Sequence, residues 1–161
     1  MKILGIDPGI GRTGWGVIEV RSSKHEIRNS GCIETSKSLP LEKRLESLYD
    51  QLKRIVNEEE PDEIAVEELF FNTNAKTALI VGQARGVILL LASKSCLPVG
   101  EYTPMEVKLA ITGYGKAEKR QVEKMLMTLL GMNEKPKIDD TSDALAVALT
   151  HAFSRKLQKI S

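Results

Sequence analysis

The period of apolar positions changes several times along the 161-residue chain, and each change marks a new element. Short apolar runs at residues 2–7, 15–20 and 26–33 predict three strands. The glycine-rich stretch 9–14 and the polar stretch 21–24 predict tight turns between them, so the three strands should form an antiparallel meander. Leu41, Leu45, Leu48, Leu52 and Ile55 then fall at alternating spacings of four and three. That stripe predicts an amphipathic helix ending near the 58–61 breaker, and a strand over 63–67 follows it.

Strand, helix, strand is a crossover unit, so 63–67 should lie parallel to an earlier strand, for which 2–7 is the most apolar candidate. Residues 74–95 have helical character but are apolar nearly all round, which predicts a helix that buries a second face. An oligomer interface is one way to bury it. A fifth strand is expected at 97–102, a short helix at 104–111, a flexible loop at 113–115 and then a basic helix. The apolar face of that basic helix is Val122, Met125, Leu126, Leu129 and Leu130, with Gly131 as its stop. A last helix should run from about 140 to 156. Together these elements predict one α/β domain spanning 1–161, built on a five-stranded mixed sheet.

Composition narrows the class. A hydrophobic share of 42% fits a single soluble core. The longest purely apolar run, at 87–92, is far short of the roughly 20 residues that span a bilayer, so no membrane association is expected. Asp7 and Pro8 interrupt the N-terminus too early for a secretory signal, and a cytoplasmic location is the expectation. Cys32 and Cys96, without CxxC partners, are expected as buried reduced thiols. Charge is uneven: residues 1–80 carry 11 basic and 14 acidic groups, and residues 81–161 carry 12 and 8. Lys108, Lys116, Lys119, Arg120 and Lys124 form a basic stretch that is either a solvated helix face or a phosphate contact.

Gly9, Gly11 and Gly14 spell the GxGxxG of a dinucleotide site, but strand-forming residues follow where that site needs a helix. The glycines read better as hairpin punctuation beside Asp7. Asp7 and Glu67 close two strands expected to be neighbours, leaving two carboxylates at matching ends. Asp140 and Asp143, at i and i+3 of the last helix, share one face, and the small Ala144 and Ala148 would let that helix lie close to the sheet. One acid there could cap the helix, but the segment has more acids than a cap needs. If Asp7, Glu67, Asp140 and Asp143 converge, they repel unless protonated or bound to hard divalent cations. With oxygen donors and no neighbouring Cys or His, Mg²⁺ or Mn²⁺ is expected, as two ions able to serve phosphodiester hydrolysis.

GIDPG at 5–9 with Gly14, VEELF with NAKTALIVGQARGV, EYTPMEVK with GKAEKRQV, and DDTSDALAVALTH occur in that order along nearly the whole chain. In this the sequence resembles the RuvC family, bacterial Holliday junction resolvases of the RNase H-like superfamily. The resemblance implies an RNase H-like sheet with helices on both faces. It implies a metal-dependent endodeoxyribonuclease that resolves four-way junctions by paired symmetric nicks in DNA recombination and repair. Asp7, Glu67, Asp140 and Asp143 match the family's catalytic, metal-binding acids. Lys108 and Lys119 match its basic residues near the scissile phosphate, and Phe70 matches its base-stacking aromatic. Arg85 lies in a matching motif without an assigned role. A homodimer packed through the apolar helix after Asn74 is also implied, as are the RuvA and RuvB branch-migration proteins as partners.

Two features depart from the pattern. Some relatives extend into a longer basic tail, and Asp139 beside Asp140 allows a second register, since Asp139 and Asp143 at i and i+4 would also share a face. The family spacing favours Asp140. His151 reads as a partly buried helix residue and His25 as a surface one. Another class, the nucleotide phosphotransferases of the sugar-kinase and chaperone superfamily, shares a similar first strand and glycine turn. Those enzymes need two such lobes.

Overall fold

A computed structural model describes residues 1–22, 24–68 and 75–158. In chain order they form β1 (Lys2–Asp7), β2 (Arg12–Arg21), β3 (Lys24–Glu34), α1 (Leu41–Glu59), β4 (Glu63–Glu67), α2 (Ala75–Lys94), β5 (Val99–Tyr102), α3 (Pro104–Thr112), α4 (Lys119–Leu129) and α5 (Asp139–Gln158). The strands make one mixed sheet in the order β3-β2-β1-β4-β5. The β1–β2 and β2–β3 pairs are antiparallel, whereas β4 runs parallel to both β1 and β5. The meander and the crossover are as the pattern predicts.

Alternation along each strand sorts the sheet into two faces. Leu4, Ile6, Val17, Ile64 and Val66 meet α1 and α2, while Ile3, Ile18 and Ala65 meet the face of α3, α4 and α5. Helices therefore cover both faces. The outer face of α2 is uncovered: Ala84, Ile88, Leu91 and Ala92 are buried, but Leu79 and Leu90 are 65% and 55% exposed. By length and composition alone Thr77–Lys94 could cross a membrane. In the fold its other side closes the core, and its Arg85 forms an ion pair with Glu101 of β5.

α5 lies unusually close to the sheet, and glycines permit it. A Cβ on Gly5 would overlap the Ala144 carbonyl and come within 2.8 Å of the Ala148 Cβ. One on Gly14 would overlap the Asp140 carbonyl, and one on Gly16 would crowd Leu145. Gly5 and Gly16 are cross-strand partners, so β1 and β2 together offer a flat bed. Thr141 ties the helix down by donating its hydroxyl to the Gly31 carbonyl at 3.1 Å.

Several local expectations change. The glycine turn is shorter than 9–14 because β2 begins at Arg12, which pairs with Glu34. Gly14 is therefore a strand residue opposite Asp7, not hairpin punctuation. β5 starts at Val99 because Cys96 takes a left-handed φ of 55° in the turn after α2. Cys96 is exposed there, and Cys32 is half-buried, so neither thiol is fully buried. His25 packs edge-on against Phe153 at 5.3 Å between ring centroids. His151 is buried, hydrogen-bonded to Tyr102 Oη at 2.7 Å and Glu63 at 2.6 Å. It has a structural role far along α5 from the acids at its start. Phe70 lies outside the described residues.

Candidate active site

Parallel pairing of Ile6 with Val66 brings the next two residues, Asp7 and Glu67, side by side at the C-terminal ends of β1 and β4. The two carboxyls are hydrogen-bonded, Asp7 donating to Glu67. Burial, then the charges of Glu67, Asp143 and Asp140, push Asp7 up to about 8. Burial and the charge of Asp143 push Glu67 up to about 7, against the opposing effects of the Asp7 hydrogen bond, Lys119 and Lys108. Asp7 thus feels the other three predicted acids, which the sheet and α5 bring around it.

Their convergence is looser than the sequence suggests. Among the described residues, no three Asp, Glu, His or Cys side chains are gathered closely enough to enclose a cation as they stand. Lys119 at the start of α4 holds Asp143 at 2.9 Å. Burial opposes the charge on that ammonium, but its hydrogen bond with Asp143 and the charges of Asp143 and Asp139 outweigh it, and the Lys119 pKa is raised.

The first turn of α5 separates the two aspartates that the sequence leaves in competition. Asp140 is among the charges acting on Asp7. Asp139 is exposed, 2.8 Å from Lys135 and 3.8 Å from Lys119. The hydrogen bond from Lys135, then Lys119, holds its carboxyl below the usual range. Asp139 thus directs its charge mainly to Lys135, four residues before it.

Lys108 and Lys119 stand across a cleft of about 210 Å³, lined also by Glu67, Pro104, Val107 and Asp143. Thr103 and Glu106 close a capping box with Pro104 at the first position of α3, which fixes where Lys108 projects. The cleft joins the acids to two ammonium groups, a combination suited to an anionic substrate hydrolysed with the help of hard cations. The donors are oxygens. Cys32 comes nearer than the sequence suggests, pairing with Gly14 and feeling the charge of Asp140. Burial, then the charges of Asp140 and Glu34, push its thiol above the usual range.

Comparison with known proteins agrees with this geometry. Residues 3–151 match the family of crossover junction endodeoxyribonuclease RuvC. The chain is 55% identical over 152 residues to the RuvC of Desulforamulus reducens, covering 94% of this chain and 93% of that one. The chain belongs to the RuvC family. A Thermus thermophilus RuvC solved in complex with a Holliday junction substrate superposes with a TM-score of 0.93 at 36% identity, over 98% of this chain and 96% of that one. The yeast mitochondrial Holliday junction resolvase Ydc2, at 18% identity and a TM-score of 0.64, shares the fold, covering 99% of this chain and 84% of that one. As a RuvC-family endodeoxyribonuclease, this chain has the RNase H-like sheet expected of it, and the family is generally metal-dependent.

Sequence reasoning missed the supports of the site. Of the glycine bed under α5, Gly14 reads in the sequence as a turn glycine and Gly5 and Gly16 as ordinary strand positions, since the helix they receive lies more than a hundred residues away. Arg85, whose role the motif left open, clamps α2 to β5 through Glu101, next to the Tyr102 that pairs with Glu67.

Proposed function

We propose that this chain is a Holliday junction resolvase of one domain, acting as a homodimer to nick two strands of a four-way junction symmetrically in the cytoplasm. The observation that carries the chemistry is the buried Asp7–Glu67 pair with Asp140 and Asp143 beside it and only the ammonium groups of Lys119 and Lys108 among the described residues acting against Glu67's charge. An all-oxygen site with this excess of negative charge fits Mg²⁺, with Mn²⁺ as a substitute, and two ions fit four carboxylates better than one. Asp7, Glu67, Asp140 and Asp143 would hold them. When bound, such ions supply charge neutralisation at the attacking and leaving oxygens of a phosphodiester.

The chain's own groups do the rest. Asp7 and Glu67 give up the proton they share as the site loads. Lys108 and Lys119 hold phosphate oxygens against the cleft wall. Phe70 stacks on a base near the junction centre. The uncovered α2 face, with Leu79 and Leu90 exposed, pairs with that of a second copy, which places two sites about a twofold axis to match the pseudo-symmetry of the junction. RuvA and RuvB are the partners that family membership suggests.

Cleavage of a synthetic four-way junction, beside a linear duplex of the same sequence, tests the proposal. With Mg²⁺ the junction should be nicked in pairs and the duplex left intact, while Ca²⁺ should support binding without cutting. Asp7→Asn, Glu67→Gln and Asp143→Asn should each abolish cleavage and keep junction affinity. Cleavage near the parent rate in any of them would remove that residue from the site.

A further inference from the structure

We propose that a second cleft, on the far side of Asp140 from Lys119, carries the cleaved strand onward from the active site toward α2, with Lys37 and Arg12 as its phosphate contacts. This rests on the nuclease reading above. The cleft has a volume of about 590 Å³, and its lining includes Gly9, Arg12, Thr35, Lys37, Val81 and Asp140. The Lys108–Lys119 cleft opens at Asp143, one turn along the same helix. The acids therefore stand between two clefts, and a strand cut at them must continue on both sides of the scissile phosphate. Lys108 and Lys119 account for one side only.

The floor of the second cleft is fixed in advance. Thr35 donates its backbone N–H to the Gly11 carbonyl at 3.1 Å and its hydroxyl to that of Ile10. Arg44 donates to the Thr35 hydroxyl at 3.0 Å and to the Ile10 carbonyl at 3.2 Å, and the Thr13 hydroxyl binds the Gly9 carbonyl. These bonds occupy the inward-facing polar groups of the loop and leave the cleft open above a rigid backbone.

Two cations stand ready over that floor. Lys37 is exposed and has no ion-pair partner among the described residues. Arg12 is paired with Glu34 at 3.1 Å, but both side chains are about 60% exposed. A solvated pair of that kind contributes little, so the guanidinium can exchange Glu34 for a phosphate at small cost. The opposite wall belongs to α2 through Thr77 and Val81.

The test uses junctions that carry one neutral methylphosphonate, placed on either side of the scissile phosphate, with binding measured in Ca²⁺ by the full-length chain. Lys37→Ala and Arg12→Ala should each weaken binding about threefold to tenfold and flatten the log–log salt dependence by about 0.9, with unchanged melting temperature. On the parent protein, neutralising a contacted phosphate on either side should weaken binding. In Lys37→Ala one of those losses should vanish while the other persists, and in Lys108→Ala the pattern should be reversed. Parent-like affinity for both Lys37→Ala and Arg12→Ala, or coupling of Lys37 to the same phosphate as Lys108, would overturn the proposed path. A parent protein that cuts no junction would instead sink the nuclease reading on which the path rests.

Discussion

Gly14 lies directly under the Asp140 carbonyl, so that the residue paired with Asp7 in the sheet also supports the first turn of α5. One glycine thereby sets the height of Asp140 and Asp143 above Asp7. A methyl group at this position meets backbone, which cannot rotate away, and the helix terminus must lift. Gly14→Ala should cost about 1–3 kcal/mol in thermal or urea unfolding. Its cleavage rate should fall by more than the loss of folded protein explains. A stable, fully active Gly14→Ala protein would show that α5 tolerates a different seat.

The Asp7–Glu67 pair makes the metal-free protein sensitive to alkali. Both pKa values are raised above those of an unfolded chain, so the pair's contribution to stability is complete below the ordinary carboxylate range. It is lost as pH rises through about 7 and 8. Asp7→Asn removes the buried charge. In EDTA its stability relative to the parent should rise steadily with pH from about 4, reaching an excess of about 1–2 kcal/mol, or about 2–8 °C in Tm, above pH 8. Equal melting temperatures for the two proteins at pH 9 would place Asp7 in a solvated setting.

The same protons compete with the cation. Because Asp7 and Glu67 must ionise to serve as ligands, half-saturating Mg²⁺ for junction cleavage should fall as pH rises from 6 to 8, by up to about tenfold per pH unit for each proton displaced. Mg²⁺ titrations at three pH values measure this directly. A pH-independent midpoint would mean that the cation binds without displacing the shared proton.

How much of this was legible in the sequence depends on the range of the interaction. Asp7 and Glu67 could be placed together because each ends an apolar run, and the crossover rule makes those runs parallel neighbours. The proximity of α5 was written in Ala144 and Ala148, small residues in a helix interior. The matching glycines of β1 and β2 carry no such mark, since nothing local to a strand glycine shows which distant helix will lie against it. Nor could the Lys119–Asp143 pair be read, because it joins two helices whose relative placement only the packed core determines. Cys96 was misplaced for a local reason. Its apolar neighbours suggested burial, but the chain turns there through a left-handed residue and presents the thiol to solvent.

Lys119 holds Asp143 before any substrate arrives, and Lys108 stands across the same cleft without an ion-pair partner among the described residues. The two lysines should therefore fail differently. Lys108→Ala should weaken junction binding and flatten its salt dependence by about 0.9 in log–log slope, as the loss of one phosphate contact requires. Lys119→Ala also frees a carboxylate next to Glu67, so it should in addition raise the pKa of the acidic pair and shift the pH profile of cleavage upward. Identical pH profiles for the two variants would show that the Asp143 contact does not set the charge balance of the site.

The last prediction concerns the two adjacent aspartates at the start of α5. Successive helical residues are rotated by about 100°, so Asp139 and Asp140 cannot both face the strand ends. In the structure Asp140 acts on Asp7, whereas Asp139 is exposed and bound to Lys135. Asp140→Asn should lose nearly all cleavage with Mg²⁺ while retaining junction affinity. Asp139→Asn removes only solvent-exposed ion pairs, with Lys135 and Lys119, and should keep most of the activity. Melting curves and sedimentation must first show that both variants are folded and assembled like the parent, since disturbing the first turn could imitate a chemical defect. An inactive Asp139→Asn beside an active Asp140→Asn would mean that the helix rotates on loading and presents its i and i+4 acids to the cation, with Lys135 left to Glu123 alone.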